Sequence, residues 1–227
     1  MFMVSFWALS RLTIEWDSLA APSTSFVDQL TAGFHHLLNR SDLRLLLALT
    51  ALNGLLGRTI IELLPALSGQ VLQGGSAELA VLVAMAGLGS VLGGLLVSRQ
   101  AADLARLMML VCAAITLAGL ALISLQWFLG LAELALWVSV LSIVTTVAGT
   151  GSQTLIQLTA SAEYRGRVMS VWTMLAMGAP ALGAALLGAG VDGFGFSRVA
   201  VWTGGAGIVL VISLYARRSR VLAGNDP

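Results

Sequence analysis

Apolar residues in this chain fall into six long blocks, roughly over residues 44–66, 78–98, 105–126, 131–156, 168–191 and 199–216. Each is close to the roughly 20 residues a helix needs to cross a hydrocarbon core. A helix bonds every backbone amide within its own segment, which is the condition for a chain that crosses lipid. Turn-forming or charged clusters separate the blocks: Leu67 to Ala77, Arg99 to Leu104, Trp127 to Gly130, Gln157 to Arg167, and Asp192 to Arg198. Connections this short favour antiparallel neighbours in a bundle. The pattern predicts an all-α integral membrane protein, a six-transmembrane-helix bundle over residues 44–216 with a tail at 217–227.

The first 43 residues read differently. Met1 to Leu12 is apolar but too short to span, and it lacks the basic start and small-residue end of a signal peptide. It reads as the stump of a preceding transmembrane helix. Leu30, Phe34, Leu37 and Leu38 recur at helical spacing among Asp28, His35, His36 and Asn39. That is the pattern of an amphipathic linker helix lying at the membrane surface. Adjacent histidines on a helix point about 100° apart, so His35 and His36 make a poor metal pair.

Composition narrows the function classes. Charged residues make up 10% of the chain against 58% hydrophobic, whereas about 25% charged is usual for a soluble domain. All 12 basic residues are arginine. Without lysine there is no phosphate-binding P-loop and no Schiff-base chemistry. The net charge of +1 points to no nucleic-acid partner. The one cysteine, Cys112, sits in an apolar block and packs as a small hydrophobe. Nothing in the residues asks for a cofactor, a metal or a catalytic group.

The arginines set the orientation. Arg40, Arg44, Arg99, Arg106, Arg165, Arg167, Arg217, Arg218 and Arg220 fall on one side of the alternating connections, and Arg198 alone on the other. Nine against one is a strong positive-inside bias. The expected protein is therefore multi-pass in the cell inner membrane, with both ends of the six-helix bundle cytoplasmic.

Polar groups at membrane depth are the candidate chemistry. The first block carries Asn53, Arg58 and Glu62. Intramembrane ionisable groups usually face a cavity or a partner, and Arg58 and Glu62, four residues apart, can pair on one helix face. Counting from Arg44 puts Arg58 about 21 Å along the helix, in its outer half. The fourth block carries Ser139, Ser142, Thr146, Gly149, Gln153 and Gln157 at three- and four-residue spacing, hence on one face. Such a stripe either lines a wet pathway or bonds a neighbouring helix. The pathway expected from both blocks is lined by Asn53, Arg58, Glu62, Ser142, Thr146, Gly149 and Gln153, with Glu62 the candidate proton carrier and Arg58 its counter-charge. The second and fifth blocks are rich in glycine and alanine and expect a helix against them. The third and sixth are plainly apolar and are expected to face lipid. Polar, small, apolar thus occurs twice, the three-plus-three internal repeat of a transporter half.

Glu163 to Trp172 (EYRGRVMSVW), followed by a Gly/Ala-rich helix containing Pro180 and Gly183, resembles the loop between helices ten and eleven of major facilitator exporters. The nearest branch is similar to enterobactin exporters and multidrug efflux proteins. Gly94 to Arg106 (GLLVSRQAADLAR) resembles the superfamily's loop motif of glycine, aspartate and arginines. It departs from it at Ser98, where the aspartate belongs, and at Ala101, where a glycine belongs. The resemblance implies the C-terminal half, helices seven to twelve, of a major facilitator superfamily transporter. It places Arg99, Asp103, Arg106, Arg165, Gly166 and Arg167 at a cytoplasmic gate. It implies export of a small-molecule substrate of drug or siderophore type across the lipid bilayer. The partner would be an N-terminal six-helix half or a second copy, and this chain alone would be truncated and inactive. Two readings compete. A non-transporting scaffold or homodimer would use the small-residue faces simply to find each other. An intramembrane serine protease would need a histidine within a span, and both histidines precede the first.

Overall fold

A computed structural model of the protein describes residues 40–71, 75–100, 102–127 and 130–223. The expected stump and linker, His35 and His36 included, lie outside these residues apart from Arg40 to Leu43. Ser41 to Leu43 already belong to the first helix.

Among the described residues all regular structure is helical. Six helices are long and apolar enough to cross a membrane: Ser41–Glu62, Ser76–Gln100, Leu104–Ser124, Leu131–Thr159, Arg165–Val191 and Arg198–Ala216, here the first to sixth spans. Even the shortest, at 19 residues, reaches about 28 Å at 1.5 Å per residue, close to the thickness of the hydrocarbon core.

Several ends differ from the sequence reading, each for a local reason. The first span stops at Glu62 and a short helix follows at Leu64–Val71. Pro65 cannot donate to the Ile61 carbonyl, and its ring would strike that carbonyl in a continuous helix. The fourth span runs on to Thr159 and the fifth helix opens at Arg165. Arg165, Gly166 and Arg167 therefore form the first turn of a helix, where the sequence reading put them in a loop. The last helix covers Phe196–Ala223, so the boundary expected at 216 falls inside it. Fifth and sixth helices meet at Gly195, whose φ of 82° is a conformation that side chains rarely tolerate. The third span is capped by Asp103, which accepts from the Ala105 and Arg106 amides, each at 3.0 Å.

The fourth span is the centre of the bundle and packs on the first, second and third. The principal pairings are second with fourth, first with fifth, third with fourth, and third with sixth. Exchanging the first three spans for the last three turns the second–fourth pair into the fifth–first pair and leaves third–sixth unchanged, as in a three-plus-three repeat. The third–fourth pair breaks that symmetry, because the sixth span barely touches the first.

Close backbone approach makes the three symmetric pairings. A Cβ on Gly89 would strike the Ser139 carbonyl, and one on Gly93 would lie 2.7 Å from the Ile143 carbonyl. At the equivalent pair, Gly54 and Gly183 let the first and fifth spans meet at Ala179 and Thr59. Gly119 and Gly204 oppose each other between the third and sixth.

The third span is half buried, with Leu107, Val111, Ile115 and Ala118 almost fully enclosed. It therefore does not stand on the lipid side as a whole, because it also has to cover the fourth span. Met109, Leu117 and Leu120 form its exposed strip. The second and fifth spans keep wide exposed faces, with Leu88, Val91 and Leu92 on one and Met174, Met177, Leu182 and Leu186 on the other.

Candidate functional site: a polar cavity inside the bundle

Helix phase decides which polar groups meet. The first span changes to a π turn at Gly54–Arg58, between α-helical Ser41–Asn53 and Thr59–Glu62. In an unbroken α-helix Asn53 and Arg58 would stand about 140° apart. The wider turn, bonded from i to i+5, brings them to nearly the same face.

Thr59 secures this turn. Its fully buried hydroxyl lies 2.8 Å from the Gly54 carbonyl and 3.3 Å from the Pro180 carbonyl of the fifth span, donating its proton between the two. Gly183, one turn beyond Pro180, leaves room for it.

The result is a cavity of about 350 Å³ among the first, second, fourth and fifth spans. Six of the seven residues expected along the pathway line it: Asn53, Arg58, Ser142, Thr146, Gly149 and Gln153. Glu62 is not among the lining residues. It meets the cavity only through Arg58, whose Nε lies 3.7 Å from Glu62 Oε1 in a pair that is half exposed on both sides. Glu62 is the last residue of the span, one turn beyond Arg58 along the helix. The fourth-span stripe also divides. Ser139 packs its backbone on Gly89, and Gln157 is exposed outside the cavity.

Further polar groups reach the cavity that the sequence reading did not assign: Thr50, Ser90, Thr145 and Thr150, with Trp172 from the fifth span. Trp172 sits at the tail of a motif read for its arginines, and Ser90 in a run read as packing surface. The neighbouring Thr146–Gly149 stripe already contained the spacing that identifies Thr145 and Thr150 as its flanks.

Hydrogen bonding within the lining is uneven. Asn53 Nδ2 donates to the Thr145 carbonyl at 3.2 Å, and Gly149 leaves space beside that amide. Asn53 Oδ1, Ser142 Oγ and Trp172 Nε1 are buried with no hydrogen-bond partner. Each such group costs about 1–3 kcal/mol unless something else satisfies it. The cavity is thus a polar pocket walled by an apolar bundle, near the middle of the 29-residue fourth span.

The residues expected at a gate lie at the helix ends. Arg99 is in the last turn of the second span. Asp103 caps the third and holds Arg106 with its other oxygen at 3.0 Å. Arg165 Nη2 reaches the Ala160 carbonyl at 3.5 Å, tying the end of the fourth span to the start of the fifth. The Arg167 guanidinium stands over the Tyr164 ring, 5.4 Å from its centre, and Gly166 is exposed between them. Short connections reverse each helix, so all six residues belong to one end of the bundle.

Six membrane-length helices with a polar cavity at mid-depth make the build expected of one half of a membrane transporter. Residues 1–225 match the family of transmembrane secretion effectors, and the chain belongs to that family. No curated protein and no solved structure matches the chain.

Proposed function

We propose that this chain is one six-helix half of an exporter that moves small molecules of drug or siderophore type out across the cell inner membrane. Asn53, Arg58, Ser142, Thr146, Gly149 and Gln153 line its substrate pathway, and Glu62 carries the coupling proton beside Arg58. The observation that supports this reading is the polar cavity at mid-depth in an apolar bundle. Unpaired polar groups facing lipid would cost several kcal/mol each, so a wet or ligand-filled space is their stable surrounding.

The open faces of the second and fifth spans take a second six-helix unit, either an N-terminal half or another copy. Arg99, Asp103, Arg106, Arg165, Gly166 and Arg167 form the gate at the arginine-rich, cytoplasmic end. In alternating access one unit rocks against the other, and the helix ends are where such motion makes and breaks bonds.

Single cysteines placed after replacing Cys112 test the pathway. Thr146, Gly149 and Gln153 line the cavity, while Val144, Val147 and Leu155 are buried against other helices. In membranes a water-soluble thiol reagent should label the first three positions and spare the other three. Equal protection of all six would mean that the stripe only holds helices together, and the transport reading would be abandoned.

A further inference from the structure

We infer, on the reading that this cavity is the transport site, that its substrate is a small organic carboxylate, which the Arg58 guanidinium takes in exchange for Glu62.

The cavity carries one fixed charge. Arg58 is the one ionisable residue among those described as lining it, and none of the described lining residues is acidic. A guanidinium stays protonated in a protein, so this charge is permanent. Along the first span, lining residues stand on both sides of Arg58, with Asn53 and Gly54 before it and Ile61 after it. The Arg58 side chain is 57% exposed, so its surface is open to contact and is not sealed by packing. A cleft with low-dielectric walls and one sign of charge concentrates the opposite sign.

The hydrogen-bonding capacity of Arg58 is also unused. Its ion pair with Glu62 is an approach of Nε at 3.7 Å, beyond the roughly 3.2 Å reach of an N–H···O hydrogen bond. Among the described residues its guanidinium makes no hydrogen bond. The group presents five N–H donors in a planar fork, and a carboxylate fills two of them side by side. Glu62 does not occupy that position. A loose pair, half exposed on both sides, holds weakly, and an incoming carboxylate of better geometry displaces it.

The rest of the accessible lining suits an anion. Thr146, Thr150 and Gln153 are exposed or only partly buried, and their side chains make no hydrogen bond among the described residues. Hydroxyl and amide groups both donate. A cation would meet Arg58 with no lining carboxylate to offset its desolvation. An uncharged molecule would leave the guanidinium fork unfilled. A volume of about 350 Å³ falls at the small end of ligand pockets, which fits an acid built on a single ring.

Three radiolabelled probes share one ring and differ in charge: benzoate is an anion, benzamide is neutral and benzylamine is a cation. Equilibrium dialysis would use the full chain in nanodiscs, with partition into protein-free discs subtracted. Benzoate should bind saturably and the other two should not. Arg58→Gln should weaken benzoate binding roughly tenfold or more, the value of a charge-assisted hydrogen bond. Arg58→Lys keeps the charge and loses the fork, and should restore only part of that affinity. Glu62→Gln removes the competing carboxylate and should tighten benzoate roughly two- to fivefold, the range of a half-exposed ion pair. A pair that serves structure alone would not give that gain. Unchanged or weaker benzoate binding in Glu62→Gln would therefore overturn the exchange. Saturable binding of benzamide or benzylamine above that of benzoate would overturn the carboxylate class and leave the transport reading standing. Failure of benzoate to bind while cysteines at positions 146, 149 and 153 still label would overturn it as well, again leaving the pathway intact. If those positions are also protected, the transport reading falls too.

Discussion

Gly87 and Gly89 stand two positions apart on the second span, and replacing each with alanine should give opposite results. A Cβ at Gly89 would run into the Ser139 carbonyl and lie 2.9 Å from Ser142 Cβ. The obstacle is backbone, so no rotamer change relieves it and the second span must move off the fourth. Overpacking of this kind costs about 1–3 kcal/mol. Alanine returns up to about 1 kcal/mol of helix propensity, leaving a net loss of about 2 kcal/mol at the upper end of the contact cost. For a domain of this size about 1 kcal/mol shifts the midpoint by about 2–4 °C, so Gly89→Ala should melt about 4–8 °C lower. At Gly87 a Cβ meets nothing within 4 Å, and Gly87→Ala should melt at the parent temperature or slightly above. The assay is size-exclusion chromatography of the heated protein in mild detergent, scored by the fraction that stays monodisperse. Equal shifts for the two variants would refute the close second–fourth packing and, with it, the three-plus-three pairing.

Three further outcomes are expected. Reporter fusions after Gly74 and after Arg218 should appear on opposite sides of the membrane, and the same side for both would break the proposed topology. In a transport assay of the assembled exporter, Arg167→Ala should slow turnover with substrate affinity nearly unchanged, because the residue stacks on Tyr164 at a helix end and does not line the cavity. A large loss of affinity at normal turnover would remove it from the gate. Thr59→Val keeps the volume but drops the proton shared between the Gly54 and Pro180 carbonyls. It should cost about 1 kcal/mol, seen as a midpoint about 2–4 °C lower.

Six spans were legible because length and apolar content alone decide whether a helix can cross lipid. The fourth-span stripe was legible for a similar reason: Ser142, Thr146, Gly149 and Gln153 keep one helical phase through an unbroken α-helix, and they line the cavity together. Glu62 was assigned to that cavity from its chemistry, but it stands at the end of the span, one turn beyond Arg58, and does not line the cavity. Phase arithmetic alone would not have placed Asn53 beside Arg58, since a change of helix type at Gly54 cannot be seen in residue order. Trp172 escaped notice because an indole in an apolar run reads as packing, and only the folded bundle puts it at the cavity wall. The Arg165–Arg167 turn was read as loop because charge marks a boundary without saying on which side of it the helix begins.

The π turn in the first span also bears on how this segment can change length. A helix with such a turn is an α-helix carrying one surplus residue. Upstream of it, Asn53 meets the Thr145 carbonyl of the fourth span, and downstream Thr59 meets Pro180 of the fifth. The wide turn takes up the surplus residue within about one revolution, so the two halves keep nearly the rotation of a regular helix. Deleting one position from Gly54 to Arg58 would leave four α-helical steps, about 400°, where five now cover about one turn, and would rotate one half against the other by only a few tens of degrees. The same deletion in the regular helix on either side would swing the halves by about 100° and take one of the two contacts with it. Within this one transmembrane helix, the wide turn is thus the place where a residue can be lost with least disturbance to what the two ends touch.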